Sequence, residues 1–276
     1  MTANSLSEWV LHTSYTSWRE LALAAGTRRG RALALALLLC AVLPSAFRVW
    51  MDSPAKFGAL PKQQVSSIAT LYGPDVVRDL AAYPSAMVSL CILTLLAIPL
   101  LAMIAGHDNI ARDVANRSLR SVVLRTSSSS IVAGKFVGLW VTLGALLLLC
   151  QLLVAVVVVV IVRGPMIVPL GACFRLWLAC ALSSAPYAAL ALLISTVAGS
   201  SARSMIGGFA VIILLVFVRI NRLLSPELAL WLLPAQNDAS LLSSNWPGVA
   251  SATLRLAVWT AAALLLCVVY LKRREI

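Results

Sequence analysis

The sequence predicts an all-α polytopic membrane protein with six transmembrane helices, an amphipathic interfacial helix before the first, and a cytoplasmic helix between the second and third. Composition, run length and charge placement all point that way. Of 276 residues, 61% are hydrophobic and only 12% charged, whereas a soluble domain carries roughly a quarter charged residues. Mean hydropathy is +0.94. The apolar residues fall in runs of about 20, the length a helix needs to cross about 30 Å of hydrocarbon. Helices also satisfy their own backbone hydrogen bonds in lipid. Between two of the runs lies a polar, basic island at residues 108–135.

The chain is expected to form one transmembrane domain over residues 1–276. Residues 1–31 hold two helix-start signals of the S-x-x-E form, Ser5-Leu6-Ser7-Glu8 and Ser17-Trp18-Arg19-Glu20, in which the hydroxyl caps the helix and the acid answers back. Leu6, Trp9 and Val10, then Trp18, Leu21 and Ala25, follow helical spacing, so this entry segment should lie along the cytoplasmic face. The first span is placed at residues 32–50. Arg28-Arg29 before it has the look of a twin-arginine leader, but Gly30-Arg31 does not continue that pattern and Pro44-Ser45-Ala46 is a poor cleavage site, so the run is expected to be retained.

The first outer segment, residues 51–83, contains Gly73-Pro74-Asp75, with proline at the first helical position and an acid beside the positive helix end; a short helix should start there and feed the second span, 84–106. The third to sixth spans are placed at 136–162, 172–197, 204–220 and 253–271. The segment 221–252 is apolar around Leu228 to Leu233 but too short to cross, so it should lie in the outer interface or dip in and return, anchored by Trp231 and Trp246.

Of the 22 basic residues, thirteen fall on the side of the island and both termini and nine on the other. Cationic loops stay inside, so both termini and the island are expected in the cytoplasm. The net charge of +12 is then a topology signal with affinity for anionic membrane lipids, and no soluble basic domain exists to bind nucleic acid. The six cysteines lie in or at the apolar runs without C-x-x-C spacing, which suits small core residues rather than disulfides or metal ligands.

Several chemistries are missing. Gly134-Lys135 is followed by Phe136, so no phosphate-cradling loop forms; no H-E-x-x-H occurs, and the histidines, His12 and His107, lie outside the spans. The spans have no carboxylate in their middles, Asp108 being the nearest, which leaves a proton relay little to use. Pro99 and Pro186 can bend helices, while Gly134, Gly138, Ala145 and Gly207-Gly208 permit close helix approach. No catalytic residue, metal ligand or cofactor site is expected, and the substrate site is not identified.

If the island is helical over residues 109–124, Ile110, Val114, Ser118, Leu119, Val122 and Val123 form an apolar stripe, with Asp108, Arg112, Asp113 and Arg120 around it. Ser127 to Ser130 should break that helix before the chain re-enters the membrane at Gly134 and Lys135. This has the form of a docking element. On the residues alone, a scaffold that recruits a cytoplasmic protein fits as an alternative to a driven permease, with a secondary transporter third; the last lacks the mid-membrane charges and paired repeats it would need.

These residues resemble the type-two ABC exporter permeases. That family commonly places an acid after the second span, then a segment acid-x-x-x-Gly-Thr-Leu-x-x-Leu-Leu, then a Pro and Arg turn and a Gly-Lys opening the third span. Asp113, Ser118, Leu119, Val122, Val123 and Gly134-Lys135 occupy the matching places here. Trp18, Glu20 and Leu21, with Arg19 and Arg28, are similar to its entry helix. Arg117 stands where the family often has glycine, and Thr126 to Ser129 replace its turn. The resemblance implies a non-catalytic half-transporter, most naturally an exporter in a bacterial inner membrane, pairing with a second copy or a related permease. It also implies a cytoplasmic ATPase subunit that holds ATP and Mg and receives the helix near residues 109–124, with Ile110, Asp113, Ser118, Leu119, Val122 and Val123 as the coupling interface.

Overall fold

The structure is a computed structural model, and it describes residues 8–18, 60, 62–111, 113, 127–162, 167–221 and 225–274. Among these the regular structure is all helical. The elements are α1 (residues 8–18), α2 (Lys62–Tyr72), α3 (Pro74–Leu80), α4 (Ser85–Gly106), α5 (Ser128–Val162), α6 (Ile167–Ala198), α7 (Ser201–Ile220), α8 (Pro226–Leu232), a 3₁₀ turn (Pro234–Asn237), α9 (Asp238–Leu242) and α10 (Trp246–Arg274). Five of them, α4, α5, α6, α7 and α10, are long and apolar enough to cross a membrane. The expected span at 32–50 and the island residues 114–126 lie outside the described residues.

Helix α6 is the axis of the bundle, packing against α4, α5, α7 and α10. Its sequence explains why. From Ala179 to Ala191 it carries Cys180, Ala181, Ser183, Ser184, Ala188 and Ala189, all buried, and such small side chains let neighbouring backbones come close where lipid provides no hydrophobic drive between helices. Tryptophans bridge the remaining gaps: the Trp140 indole of α5 donates to the Ala181 carbonyl at 2.8 Å, and Trp177 of α6 donates to the Gly144 carbonyl at 2.8 Å. Cys91 of α4 and Cys180 of α6 meet as free thiols 3.6 Å apart, and Thr196 of α6 meets Cys267 of α10 at 3.1 Å. Helix α7 packs least. Only 11% of its apolar window is buried, against 72% for α6, so α7 is peripheral. It follows α6 through Gly199, whose φ of 66° is the left-handed value that suits glycine at a helix end.

Several boundaries differ from the sequence expectation. Helix α5 starts at Ser128, eight residues before the expected span; the end of the island helix expected before it lies outside the described residues, while Ser128 to Ser130 already belong to α5. The reason is a cap: the Ser127 hydroxyl accepts from the Ser130 backbone N–H at 3.3 Å and contacts the Ser130 hydroxyl at 2.7 Å. Ser17 likewise does not open a helix; it lies inside α1, where its hydroxyl bonds back to the Thr13 carbonyl. Helix α2 was not anticipated, whereas α3 begins at Pro74 as its proline and Asp75 require. Helix α6 starts at Ile167, five residues early, and α10 at Trp246, seven residues early, so Trp246 opens a spanning helix and lies exposed at its start. The segment before it forms three short helical pieces that pack on α6 and α10, with Ala229, Leu233, Leu241 and Leu242 buried.

Gly106, at the end of α4, marks a tight point of the core: a Cβ placed there would lie 2.7 Å from the Ala191 Cβ and 2.9 Å from a Leu139 methyl. Gly106→Ala should therefore destabilise the bundle, by about 1–3 kcal/mol if it behaves as ordinary overpacking. Gly144, with nothing within 4 Å of such a Cβ, should tolerate alanine. Thermal unfolding of the two variants in detergent checks the contrast; equal melting temperatures would remove Gly106 from the list of packing constraints.

Candidate functional site

The island end of the bundle gathers α1, the end of α4, the start of α5 and the end of α6. Helix α1 rests on α5 at Gly134. A Cβ at Gly134 would fall inside the Thr16 side chain and 3.1 Å from the Thr13 carbonyl, so glycine is what lets the two helices touch. The Ser17 hydroxyl, whose one proton is shared with the Thr13 carbonyl at 2.7 Å, fastens the contact through its longer bond to the Gly134 carbonyl at 3.1 Å. Leu11, Tyr15 and Trp18 follow one another at helical spacing and are exposed, an apolar stripe turned away from the protein. Trp18 thus faces outward, while Glu20 and Leu21 lie outside the described residues.

Beyond Gly106 the chain turns through His107 to Ile110 and is held by one residue of α6. The Ser195 hydroxyl accepts from the backbone N–H of Ile110 at 3.1 Å and of Ala111 at 2.9 Å, and it donates to the His107 carbonyl at 2.9 Å. Ile110 and Ala111 are fully buried here. Ile110 is therefore part of the chain's own core and does not stand on an exposed docking stripe.

A charge pair closes the junction. Lys135, the residue after the glycine seat, is 8% exposed in its side chain, and its ammonium lies 2.7 Å from Asp113 Oδ2 and donates to the Asn109 carbonyl at 2.6 Å. An ammonium buried to that degree needs a counter-charge and further acceptors, and both are supplied by the start of the island. Asp113, 33% exposed, is thus engaged within this chain. Ser118, Leu119, Val122 and Val123 lie outside the described residues.

The opposite end of the bundle holds a second polar cluster that the sequence did not announce. Asp238, buried, accepts a hydrogen bond from the Ser183 hydroxyl of α6 at 2.7 Å. Burial pushes its carboxyl above the usual carboxylate range, with the Ser183 bond and the charge of Arg219 opposing. The neighbouring Tyr72 phenol is raised as well, by burial and then by Asp238. Arg255 of α10 donates to Asn237 Oδ1 at 2.7 Å, and Asn237 in turn donates to the Leu230 carbonyl at 2.9 Å. Arg175 donates to the Ser243 carbonyl at 2.5 Å, while Asp79 of α3 accepts from both the backbone and the hydroxyl of Ser244, which holds its carboxyl below the usual range. The segment between α7 and α10 is thereby tied to α3, α6 and α10. Among the described residues no cluster of His, Cys, Asp or Glu has the makings of a metal site.

Comparison with known proteins gives one result of substance. A family model described as ABC-2 family transporter protein matches residues 23–276. No curated protein matches the chain.

The Ser195 contacts can be tested directly. Ser195→Ala would leave two buried N–H groups without an acceptor, at a cost of about 1–3 kcal/mol each. Hydrogen exchange across residues 107–113 should rise in that variant and return toward the parent in Ser195→Thr, which keeps the hydroxyl; unchanged exchange in Ser195→Ala would mean that other contacts hold the turn.

Proposed function

The chain belongs to the ABC-2 transporter family and is a membrane-spanning permease subunit of an ABC transporter; we propose that it is the passive half of an exporter, driven by a separate cytoplasmic ATPase. The observation that carries the proposal is the junction at the island, where Asp113 is joined to Lys135 of α5 while Ile110 and Ala111 hang on Ser195 of α6. A force on the segment after Asp113 enters two spanning helices at once. Since α6 touches α4, α7 and α10 as well, the load is shared by the whole bundle.

In this mechanism the island helix seats in a groove of the ATPase through Leu119, Val122, Val123 and Ser118. Asp113, Gly134 and Lys135 form its rigid root, and Ile110 buries that root. Two permease chains pair, their ATPases close around ATP and Mg, and the closure moves the permease halves to alternate access at their interface. This chain supplies neither nucleotide site nor catalytic group. The apolar run at 32–50 is the first span and brings the total to six, and α1 lies on the cytoplasmic surface with Leu11, Tyr15 and Trp18 in the lipid interface. Both termini and the island are on the cytoplasmic side of a bacterial inner membrane.

Topology is tested with single cysteines in a cysteine-free background. An impermeant thiol reagent applied to intact cells should leave Ser127→Cys and Arg273→Cys unlabelled and should label Asp75→Cys, all three being exposed positions. The reverse pattern would invert the protein and remove the island from the ATPase.

Coupling is tested at Leu119. Losing a buried anchor at such an interface costs about 2 kcal/mol or more, over tenfold in affinity, and placing a carboxylate there is worse. Leu119→Asp should insert normally into the membrane, fail to co-purify with the ATPase and abolish ATP-dependent transport in vesicles that contain both subunits. A correctly inserted variant that keeps its ATPase and full transport would overturn the docking assignment, and parental recruitment without any ATP-dependent transport would favour a scaffold.

A further inference from the structure

Between α4 and α7 the bundle leaves a narrow cleft of about 90 Å³. Leu96 and Pro99 of α4 face Leu215 and Val216 of α7 across it, Tyr187 of α6 forms part of its lining, and Arg219 is the one charged side chain among the described residues that line it. Leu96 and Val216 are 51% and 48% exposed on the flanks of two membrane-spanning helices, so the mouth opens sideways at the depth of the bilayer. A cleft that is apolar along its walls and cationic at one end has the polarity of an amphiphile with an anionic head.

Arg219 is available for such a head. The ion pair among the described residues is Lys135 with Asp113 at the other end of the bundle, and Asp238, which Arg219 feels electrostatically, gives its Oδ1 to Ser183. Burial favours the neutral form of Asp238 and so weakens it as a counter-charge. The Tyr72 hydroxyl, also within electrostatic range of Arg219, is buried without a hydrogen-bond partner. Position agrees with charge: Arg219 stands in the last turn of α7, at the level where lipid head groups begin, and a guanidinium grips carboxylate or phosphate through two parallel N–H bonds.

We propose that the cleft is a binding site for an anionic lipid taken from the surrounding leaflet, its acyl chain lying between α4 and α7 and its head on the Arg219 guanidinium. Pro99 assists by geometry, since it withdraws one backbone donor from α4 at the wall of the cleft and leaves that helix free to bend around a chain.

The test uses the full-length protein in lipid nanodiscs with two photoactivatable probes that carry the same diazirine-bearing acyl chain, one a fatty acid and the other a phosphatidylcholine. After illumination, adducts are mapped by peptide mass spectrometry. Fatty-acid adducts should concentrate on the α4 peptide around Leu96 and the α7 peptide around Val216. Arg219→Gln should reduce them about tenfold, the loss expected for one charge-assisted contact, while phosphatidylcholine adducts stay as they are. Arg219→Lys should restore most of the fatty-acid labelling, and Leu215→Trp, which fills the cleft, should remove it. Adducts spread evenly over the exposed faces of α7 and α10 would mean annular lipid only and overturn the site. So would labelling indifferent to Arg219→Gln, or crosslinks showing a second copy of the chain seated in the cleft. The measurement needs neither ATP nor an ATPase, so its failure leaves the permease assignment standing.

Discussion

Four membrane helices reach α6 because α6 offers almost no side-chain bulk where they cross. Lipid tails solvate leucine as well as another leucine does, so burial alone gives helices in a bilayer little reason to associate; close backbone approach and dispersion have to supply it. The run from Ala179 to Ala191 meets that requirement, and Gly106 and Ala191 bring α4 and α6 together where no further atom fits. Helices α4, α5 and α10 take their positions from this axis. Helix α7 has the weakest share in it and presents Ile206, Ile213, Leu214 and Phe217 outward.

Two serines of α6 carry its polar ties to the connecting segments. Ser195 holds the root of the island, and Ser183, twelve residues earlier and so about 18 Å away along a regular helix, holds Asp238 of α9. Ser195 lies in the last turn of α6 and Ser183 at its midpoint, and each buried hydroxyl is matched by a partner from a connecting segment. The same helix therefore reads the position of both connecting regions. Pro186 lies between the two serines and removes one backbone bond from the stretch that joins them, the natural place for the ends to move relative to each other.

The spans were legible in the sequence because a run of about 20 apolar residues in lipid has one stable backbone solution, and four of the five described spanning helices enclose the residues predicted for them. The remaining one, α4, matches its expected run to within one residue. Helix starts were less legible. Ser127 caps α5, so the helix begins within the serine run instead of after it, and α10 begins at Trp246 with Pro247, seven residues before the expected start. At the island, Lys135 and Asp113 were recognised from motif and spacing, but their pairing was not, since it joins residues across a segment whose length says nothing about where its ends meet. Ser195 and Asp238 were missed altogether. A serine in an apolar run and an aspartate in a loop carry no periodicity, and their importance comes from tertiary contacts that no local pattern encodes.

The contact between α1 and Gly134 has a consequence for how the protein is made. Ser17 and the carbonyl it binds are 117 residues apart in the chain. At about 5–20 residues per second, a ribosome takes on the order of ten seconds to supply the second after the first. Throughout that interval α1 has left the ribosome and has no seat. With α1 placed in the membrane interface as proposed above, Leu11, Tyr15 and Trp18 would give it somewhere to wait, since an exposed apolar stripe of that kind favours the lipid headgroup region over water. Docking on α5 then becomes a search along a surface instead of through a volume, and the stripe that stays outward in the finished protein is the one that held the segment in place while the rest was being synthesised.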